Sequence, residues 1–435
     1  MAIVAVAPAA AQDAAAGLTL ERAIETALAN NHQLAASEAG VRRAEAELET
    51  AKSARRPRVD LQEVVSRTTN PVMVFSNLLR QETFGPENFD PARLNEPEAL
   101  TNFGSRLTVE QPIWTGGKIG SGIDAAEQAA TARSEGHARA RQQVVHGVIE
   151  AYTGAVLAER HLQVAKQALE TATAHVKLVR DLFEGGMVVE SDLLQSQVRE
   201  SEVQEMLARA ESQRATALAG LNMAMGLPQG QPVSLPESIE LNERAPDAPL
   251  DALVEEALRR RPDLGAADAR LRAAQSMIRS AKAGARPEIG VQGSYEANAE
   301  TFIGADGTNW SVMVAAKLPL FDGFETRSRV RAARAGVDAA REQRAQLSQA
   351  VELQVRRAYH DLEAAHKRLD QARRAVELAR ESLRIVEDRY KEGLTTMVEL
   401  LDAETSLTRA RTRRVAARRD VLTSQATLDL ALGRL

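Results

Sequence analysis

Two hydrophobic periods divide the chain. From Trp310 the apolar positions fall on every second residue, Val312, Val314, Ala316, Leu318 and Leu320, until Asp322-Gly323 ends the series. That alternation predicts a strand over about 309–321, with a partner over about 287–297 carried by Ile289, Val291 and Tyr295 after Pro287. Val59 and Leu61, then Leu107, Val109 and Ile113, predict an earlier pair over about 57–67 and 104–114. Elsewhere the step is three and four. Leu362, Ala365, Leu369, Ala372, Val376, Ala379, Leu383, Val386 and Tyr390 form a heptad seam, and so do Ala155, Ala158, Leu162, Ala165, Leu169, Ala172, Val176, Val179 and Phe183. Frequent Ala in such seams lets helices approach closely and supercoil left-handedly. A helix from about 326 to 390 would rise about 95 Å at about 1.5 Å per residue, too long for a compact single-core domain. A second apolar flank at Ala364, Ala375, Leu378 and Ile385 predicts neighbours on two sides.

The chain is written twice. Residues 20–62 align without gaps on 250–292, placing Ala27-Leu28 on Ala257-Leu258, Leu34 on Leu264 and Pro57 on Pro287. Residues 103–228 align on 310–435, placing Pro112 on Pro319, Trp114 on Phe321, Gly116 on Gly323, Tyr152 on Tyr359, Phe183 on Tyr390 and Gly226 on Gly433. The offset changes because the first copy carries residues 63–102 where the second has only 293–309. Each copy reads helix, strand, loop, strand, long helix, turn, helix. The first repeat is therefore 18–228, with a long helix over about 120–183 and a second over about 190–226. The second repeat is 250–435, with helices over about 326–390 and 397–432, and residues 229–249 link the two. The fold class is mainly α with a small β part built from a duplicated helix-strand-strand-helix unit.

Composition sharpens this reading. Hydrophobic residues make up 44% and charged residues 26%, near the globular average, but only 14 residues are Phe, Trp or Tyr. Ten of them fall between Phe75 and Trp114 or between Tyr295 and Phe324, the strand regions. Aromatics gathered at alternating strands fit a membrane-interface girdle, although a small soluble sheet would also use them as its local core. No apolar run reaches the roughly 18 residues of a membrane helix, so any membrane passage must be a β-barrel. Four strands cannot close one, since the smallest closed barrels use about eight, so several chains must contribute. With no cysteine, disulfides, thiolate metal sites, a Cys nucleophile and an N-terminal lipid-bearing cysteine are excluded in the chain as given. A net charge of −5 argues against a nucleic-acid partner. The short apolar stretch Ala2–Ala7 and the small residues Ala9-Ala10-Ala11 read as the remnant of an export signal in a disordered segment, 1–17.

Candidate chemistry is sparse. Gly116-Gly117-Lys118-Ile119-Gly120-Ser121-Gly122 lacks the spacing of a phosphate loop and reads as a strand-to-helix turn. Seven histidines show no metal-ligand spacing, and no Ser-His-Asp arrangement is recognisable. No catalytic, cofactor or metal site is expected. Arg409, Arg411, Arg413, Arg414, Arg418 and Arg419 make a dense basic segment, whereas its first-copy equivalent around Glu202 to Glu211 is mixed. It reads as a solvated or neighbour-pairing face.

Several segments match a known pattern: Gln-Pro-Ile-Trp-Thr-Gly at 111–116 and Leu-Pro-Leu-Phe-Asp-Gly at 318–323, and the turns Phe183-Glu184-Gly185-Gly186 and Tyr390-Lys391-Glu392-Gly393, leading to Ser191-Asp192-Leu193-Leu194 and Leu400-Leu401-Asp402-Ala403. With the doubled plan, they make the chain resemble the outer membrane efflux protein family, the TolC-like channels, from about Leu18 to Leu435. The resemblance implies a homotrimer whose strands form one 12-stranded β-barrel in outer-membrane lipid, continued by a 12-helix α-barrel tunnel through the periplasm. It implies a passive, cofactor-free, non-enzymatic exit duct for efflux or type I secretion, served by a periplasmic adaptor (membrane fusion) protein and an inner-membrane pump of the RND or ABC class. Gly185, Gly186 and Gly393 are then the hairpin tips where the adaptor docks. Tyr390 is similar to a gate tyrosine that hydrogen-bonds a carboxylate, here Asp192. Ser191 corresponds to a threonine whose gate partner is an arginine, but Thr395 stands at the arginine's position. Glu399 and Asp402 match two constriction carboxylates, which in three copies would ring a narrow pore. The competing reading is a soluble periplasmic coiled-coil scaffold whose strands pack as a small sheet.

Overall fold

A computed structural model describes residues 17–236 and 245–435 of the chain. The expected signal remnant, apart from its last residue, and the middle of the 229–249 link lie outside the described residues. The elements run α1 Leu20–Asn30, α2 His32–Ser53, β1 Arg58–Thr68, α3 Pro71–Arg80, a short 3-10 turn Pro86–Phe89, α4 Pro91–Asn95, β2 Leu100–Trp114, α5 Lys118–Glu184 and α6 Glu190–Met225. They continue α7 Leu250–Arg260, α8 Pro262–Ala283, β3 Glu288–Ala299, β4 Gly307–Lys317, α9 Glu325–Lys391 and α10 Met397–Leu432. The molecule is mostly helical with one small antiparallel sheet. Helix lengths match in pairs: 11 residues for α1 and α7, 22 for α2 and α8, 67 for α5 and α9, and 36 for α6 and α10.

The described residues divide into two compact units, one of residues 17–40, 134–236, 245–266 and 345–435, the other of 41–133 and 267–344. Each unit draws on both halves of the sequence, because a lone helix-strand-strand-helix segment has no second layer to cover its apolar stripes.

In the helical unit apolar clusters line up with the seams. Ala23, Ala27, Val148, Tyr152, Leu221 and Met225 join α1, α5 and α6. Leu253, Ala257, Val355, Leu362, Val421 and Leu432 join α7, α9 and α10. A third cluster lies at the helix-hairpin turns. Where one opening helix was expected per copy, the structure has two, broken at Asn31 and Arg261, both in extended conformation. Asn31 Oδ1 accepts from the backbone N–H groups of Gln33 and Leu34, restarting the helix, while its Nδ2 donates to Ala224 O at 3.1 Å. Arg261 precedes Pro262, which disfavours helical geometry before it. Its buried guanidinium reaches Asp263 at 2.6 Å, Gln354 at 2.7 Å and Ala431 O at 3.4 Å. Both breaks are thus tied to the end of a hairpin helix, α6 or α10.

The other unit holds the sheet, ordered β1-β2-β3-β4 with every neighbour antiparallel. The register aligns Leu61, Leu107, Tyr295 and Trp310 in one row and Val59, Val109, Gly293 and Val312 in another. The row between them carries Asp60, Thr108, Ser294 and Ser311, and the row beyond Leu61 carries Gln62, Arg106, Glu296 and Asn309. Alternate rows face opposite sides, so one face is apolar and the other polar. The apolar face is bare: Leu61 is 76% and Trp310 75% exposed. The polar face is cross-linked by the Arg106–Glu296 ion pair and by Ser294 with Ser311 at 2.9 Å.

Two boundaries differ from the alternation. β4 ends at Lys317, short of the expected 321, because Pro319 offers no N–H to the ladder. β2 begins at Leu100, paired to Thr68, earlier than the expected 104. Between β1 and β2 the expected loop is largely helical. Asn70 Oδ1 caps α3 by accepting from Val72 and Met73 N–H, with Pro71 in the first turn. Phe75, Phe84 and Phe89 stack edge to face at 5.0 and 5.1 Å. A buried amide chain from Gln81 through Asn102 to Asn298, at 2.9 and 3.0 Å, then fastens the insertion to the sheet.

Candidate functional site

The turns that close the hairpins α5–α6 and α9–α10 share one backbone design. Gly186 N–H donates to Phe183 O at 2.9 Å and Met187 N–H to Leu182 O at 2.9 Å; Gly393 N–H donates to Tyr390 O at 3.0 Å and Leu394 N–H to Arg389 O at 2.9 Å. These paired bonds satisfy carbonyls that the helix end leaves open, and they require a left-handed residue. Gly186 and Gly393 supply it, with φ of +74° and +72°. Gly185, expected with them as a tip glycine, has no such φ, and a Cβ there would meet its neighbours only at 3.4 Å. Chain reversal needs two of the three.

Behind the turns, α5, α6, α9 and α10 meet around Val179, Leu193, Val376, Leu383, Tyr390, Met397 and Leu400. Tyr390 is buried in the last turn of α9, its ring edge-on to His175 with centroids 6.2 Å apart. Its hydroxyl has no hydrogen-bond partner among the described residues. The hydrogen bond expected between Tyr390 and Asp192 is therefore not formed, although Asp192 is close enough for its charge to act. Burial pushes the Tyr390 hydroxyl up, and the Asp192 carboxylate adds to the effect. Among the described residues, Ser191 and Thr395 form no side-chain bond to each other either. The Thr395 hydroxyl donates to Glu399 instead, and Thr396 caps α10 by accepting from Glu399 N–H. Glu399 thus has a local role at the helix start, where a carboxylate also suits the helix dipole. Glu399 and Asp402 are both exposed and three residues apart, on one side of α10.

Sequence reasoning missed a buried pair beside Tyr390. His175 Nδ1 lies 2.5 Å from Glu404 Oε1, both side chains under a tenth exposed, joining α5 to α10. The signal was available: Leu400, Glu404 and Leu407 step by four and three, so a carboxylate occupies a seam position. His175, Glu387, Tyr390, Lys391 and Glu404 line a cavity of about 360 Å³ there. The turns themselves expose apolar side chains, Met187, Val189, Leu394 and Val398.

A family profile described as "Outer membrane efflux protein" matches residues 23–227 and 253–434. The chain is 27% identical over 423 residues to the pyoverdine export outer membrane protein OpmQ of Pseudomonas putida, covering 95% of this chain and 85% of that protein. It is 27% identical over 332 residues to protein CyaE of Bordetella pertussis, covering 76% and 70%. Its fold superposes on the Campylobacter jejuni CmeC outer membrane channel with a TM-score of 0.81 at 18% identity, covering 95% of this chain and 85% of that one.

Proposed function

Because the chain belongs to the outer membrane efflux protein family, we propose that three copies of it join their sheets into one 12-stranded barrel and their hairpin helices into a 12-helix tunnel. The protein is an outer-membrane exit duct of a tripartite efflux or secretion system. The observation that carries the proposed assembly is the sheet: a bare apolar face, a polar face, and unpaired edges at β1 and β4. An even number of strands leaves the two edges running in opposite directions, so copies joined edge to edge continue the antiparallel alternation. The apolar rows would face lipid and the polar rows the lumen, which is how transmembrane barrels alternate. A soluble scaffold would leave those rows in water. The matched helix lengths and the equivalent breaks at Asn31 and Arg261 support an internal duplication.

Transport is passive on this reading, with energy from an inner-membrane pump and an adaptor docked on the turns at Gly186 and Gly393. Exposed Met187, Val189, Leu394 and Val398 support a protein partner there, because apolar patches on turns mark contact surfaces. The gate closes by packing of Tyr390 and its cluster rather than by a polar latch, and the adaptor shifts the population toward the dilated state. Glu399 and Asp402, three of each, ring the constriction and favour cations. Light scattering of the detergent-extracted protein should give three times the protomer mass after the detergent is subtracted; a folded monomer without detergent overturns the assembly. In planar bilayers, Glu399→Ala with Asp402→Ala should relieve block by polyvalent cations, and undiminished block removes the ring.

A further inference from the structure

Within the helical unit, α5, α9 and α10 enclose a groove of about 660 Å³. Seven arginines line it: Arg160 on α5, Arg373 and Arg380 on α9, and Arg411, Arg414, Arg418 and Arg419 on α10. On α10 the positions 411, 414 and 418 step by three and four, which puts them on one side of the helix. Part of the basic segment read as a solvated face is thus the wall of a cavity, completed by arginines from two other helices.

The charge in the groove is poorly balanced. No Asp or Glu is among the residues that line it. Among the described residues Arg380, Arg411 and Arg414 form no ion pair with a carboxylate. Arg373 pairs with Asp370 on its own helix and Arg419 with the adjacent Asp420, at 3.6 Å each, and Arg419 Nε is buried without a partner. Burial, with Arg380 and Arg414 nearby, pulls Arg411 down from the ordinary arginine value. Crowding like charges this way opposes folding, so the packing alone does not account for it.

The first half of the chain supplies an internal control. At the positions matching Arg411, Arg414, Arg418 and Arg419 it has Gln204, Leu207, Glu211 and Ser212. Its own cavity between α5 and α6 mixes Lys166 and Arg214 with Glu159 and Glu211, and Arg214 meets Glu159 at 2.5 Å. A hairpin of this length folds there without an arginine cluster.

We propose that this groove is a binding site for a small organic polyanion, one carrying several carboxylate, phosphate or sulfonate groups on an apolar body. Guanidinium groups bind such oxyanions through paired, charge-assisted hydrogen bonds. Leu157, Leu369 and Leu422 provide an apolar floor, and the volume lies within the roughly 300–1,000 Å³ of small-molecule sites. The inference stands on one protomer and is independent of the trimer and of the gate.

The test is titration of the full-length protein in non-ionic detergent with the trisulfonated dye pyranine, followed by fluorescence anisotropy, with inorganic phosphate as a competitor of charge alone. One saturable site per chain, weakened by salt and displaced by phosphate only at far higher concentration, is expected. Arg414→Gln with Arg418→Gln should weaken it at least about tenfold, the loss of two charge-assisted contacts. Arg414→Lys with Arg418→Lys, which keeps the charge but not the forked donors, should weaken it less than the glutamine pair does. Arg380 is exposed, so Arg380→Gln leaves the fold intact and should still weaken binding several-fold. Arg43→Gln, distant in sequence and paired with Glu47 on α2, is the control. Absence of a saturable site overturns the proposal, as do equal losses in the control and full binding by the glutamine variants. Phosphate competing as well as pyranine overturns the role given to the apolar floor.

Discussion

Replacing the tip glycines by alanine isolates a single energetic term. At Gly186 and Gly393 an added Cβ would have nothing within 4 Å, so no side-chain clash contributes. What remains is the backbone: φ of +74° and +72° puts an L-residue in the left-handed region, at a cost of about 1–2 kcal/mol. Gly185 is the adjacent control, with no positive φ and only ordinary contacts at 3.4 Å. There alanine should be neutral or stabilising by about 0.4–1 kcal/mol, through reduced freedom of the unfolded chain. The readout is hydrogen exchange at the amides of Met187 and Leu394, which close the longer bond of each turn. Where exchange reports the local opening equilibrium, 1–2 kcal/mol means exchange faster by roughly 5- to 30-fold at Met187 in Gly186→Ala and at Leu394 in Gly393→Ala. Asparagine, which tolerates the left-handed region better, should recover part of the loss in Gly393→Asn. Equal acceleration in Gly185→Ala and Gly186→Ala would refute the assignment of the cost to the backbone.

Tyr390→Phe removes a buried hydroxyl that has no partner, so thermal stability should hold or rise by up to about 1 kcal/mol, with single-channel conductance unchanged; a large rise in conductance would restore a latching role. On the sheet, Leu61→Arg or Val312→Arg should cost about 2–4 kcal/mol if those rows meet lipid, read as loss of assembled protein from the membrane fraction, while Thr108→Arg on the polar rows should be tolerated. Matching yields for the three variants would remove the lipid-facing assignment. Glu256 is held down at about 2 by hydrogen bonds from Arg434, with Arg260 adding to them. Its contribution is complete above its ordinary value of 4.5 and is lost as pH falls from there toward 2. Glu256→Gln should therefore lower stability at neutral pH by about 1 kcal/mol, as befits a partly exposed pair, and flatten the acid limb of a thermal-stability profile; an unchanged acid limb would show that the pair is not what titrates.

Periodicity carried much of this fold because both periods answer to burial. A seam such as Leu362, Leu369 and Val376 is buried along its length, and alternation from Trp310 to Ala316 marks a two-sided strand. The pattern failed where hydrogen bonding overruled it. Leu318 and Leu320 continue the alternation, yet Pro319 ends the ladder. Asn31 and Arg261 break helices whose apolar stripe runs straight through, because their side chains are needed at the ends of α6 and α10. The 63–102 insertion hid its helix behind an ordinary Asn-Pro capping signal at Asn70. At the candidate gate, the glycine turns were legible from two short segments, whereas the His175–Glu404 pair spans 229 residues and only packing reveals it. The arginine groove was half legible: α10 displayed its share in one run, but Arg160, Arg373 and Arg380 join it only in three dimensions.

In the proposed three-chain barrel, the free edges of β1 and β4 would also govern how the protein matures. Each edge carries a row of backbone donors and acceptors without partners, and hydrocarbon offers none, so a lone sheet entering a bilayer would forfeit several kcal/mol per unsatisfied group. Insertion must therefore wait for encounter. Its rate should climb steeply with the local supply of newly exported chains, and a chain arriving alone should remain outside the lipid, open to proteases. Once the last edge of the proposed barrel is sealed, the same bonds would oppose escape, because removing one protomer would reopen two seams at once. Synthesis in bursts would suit such a molecule better than a steady trickle of the same total amount.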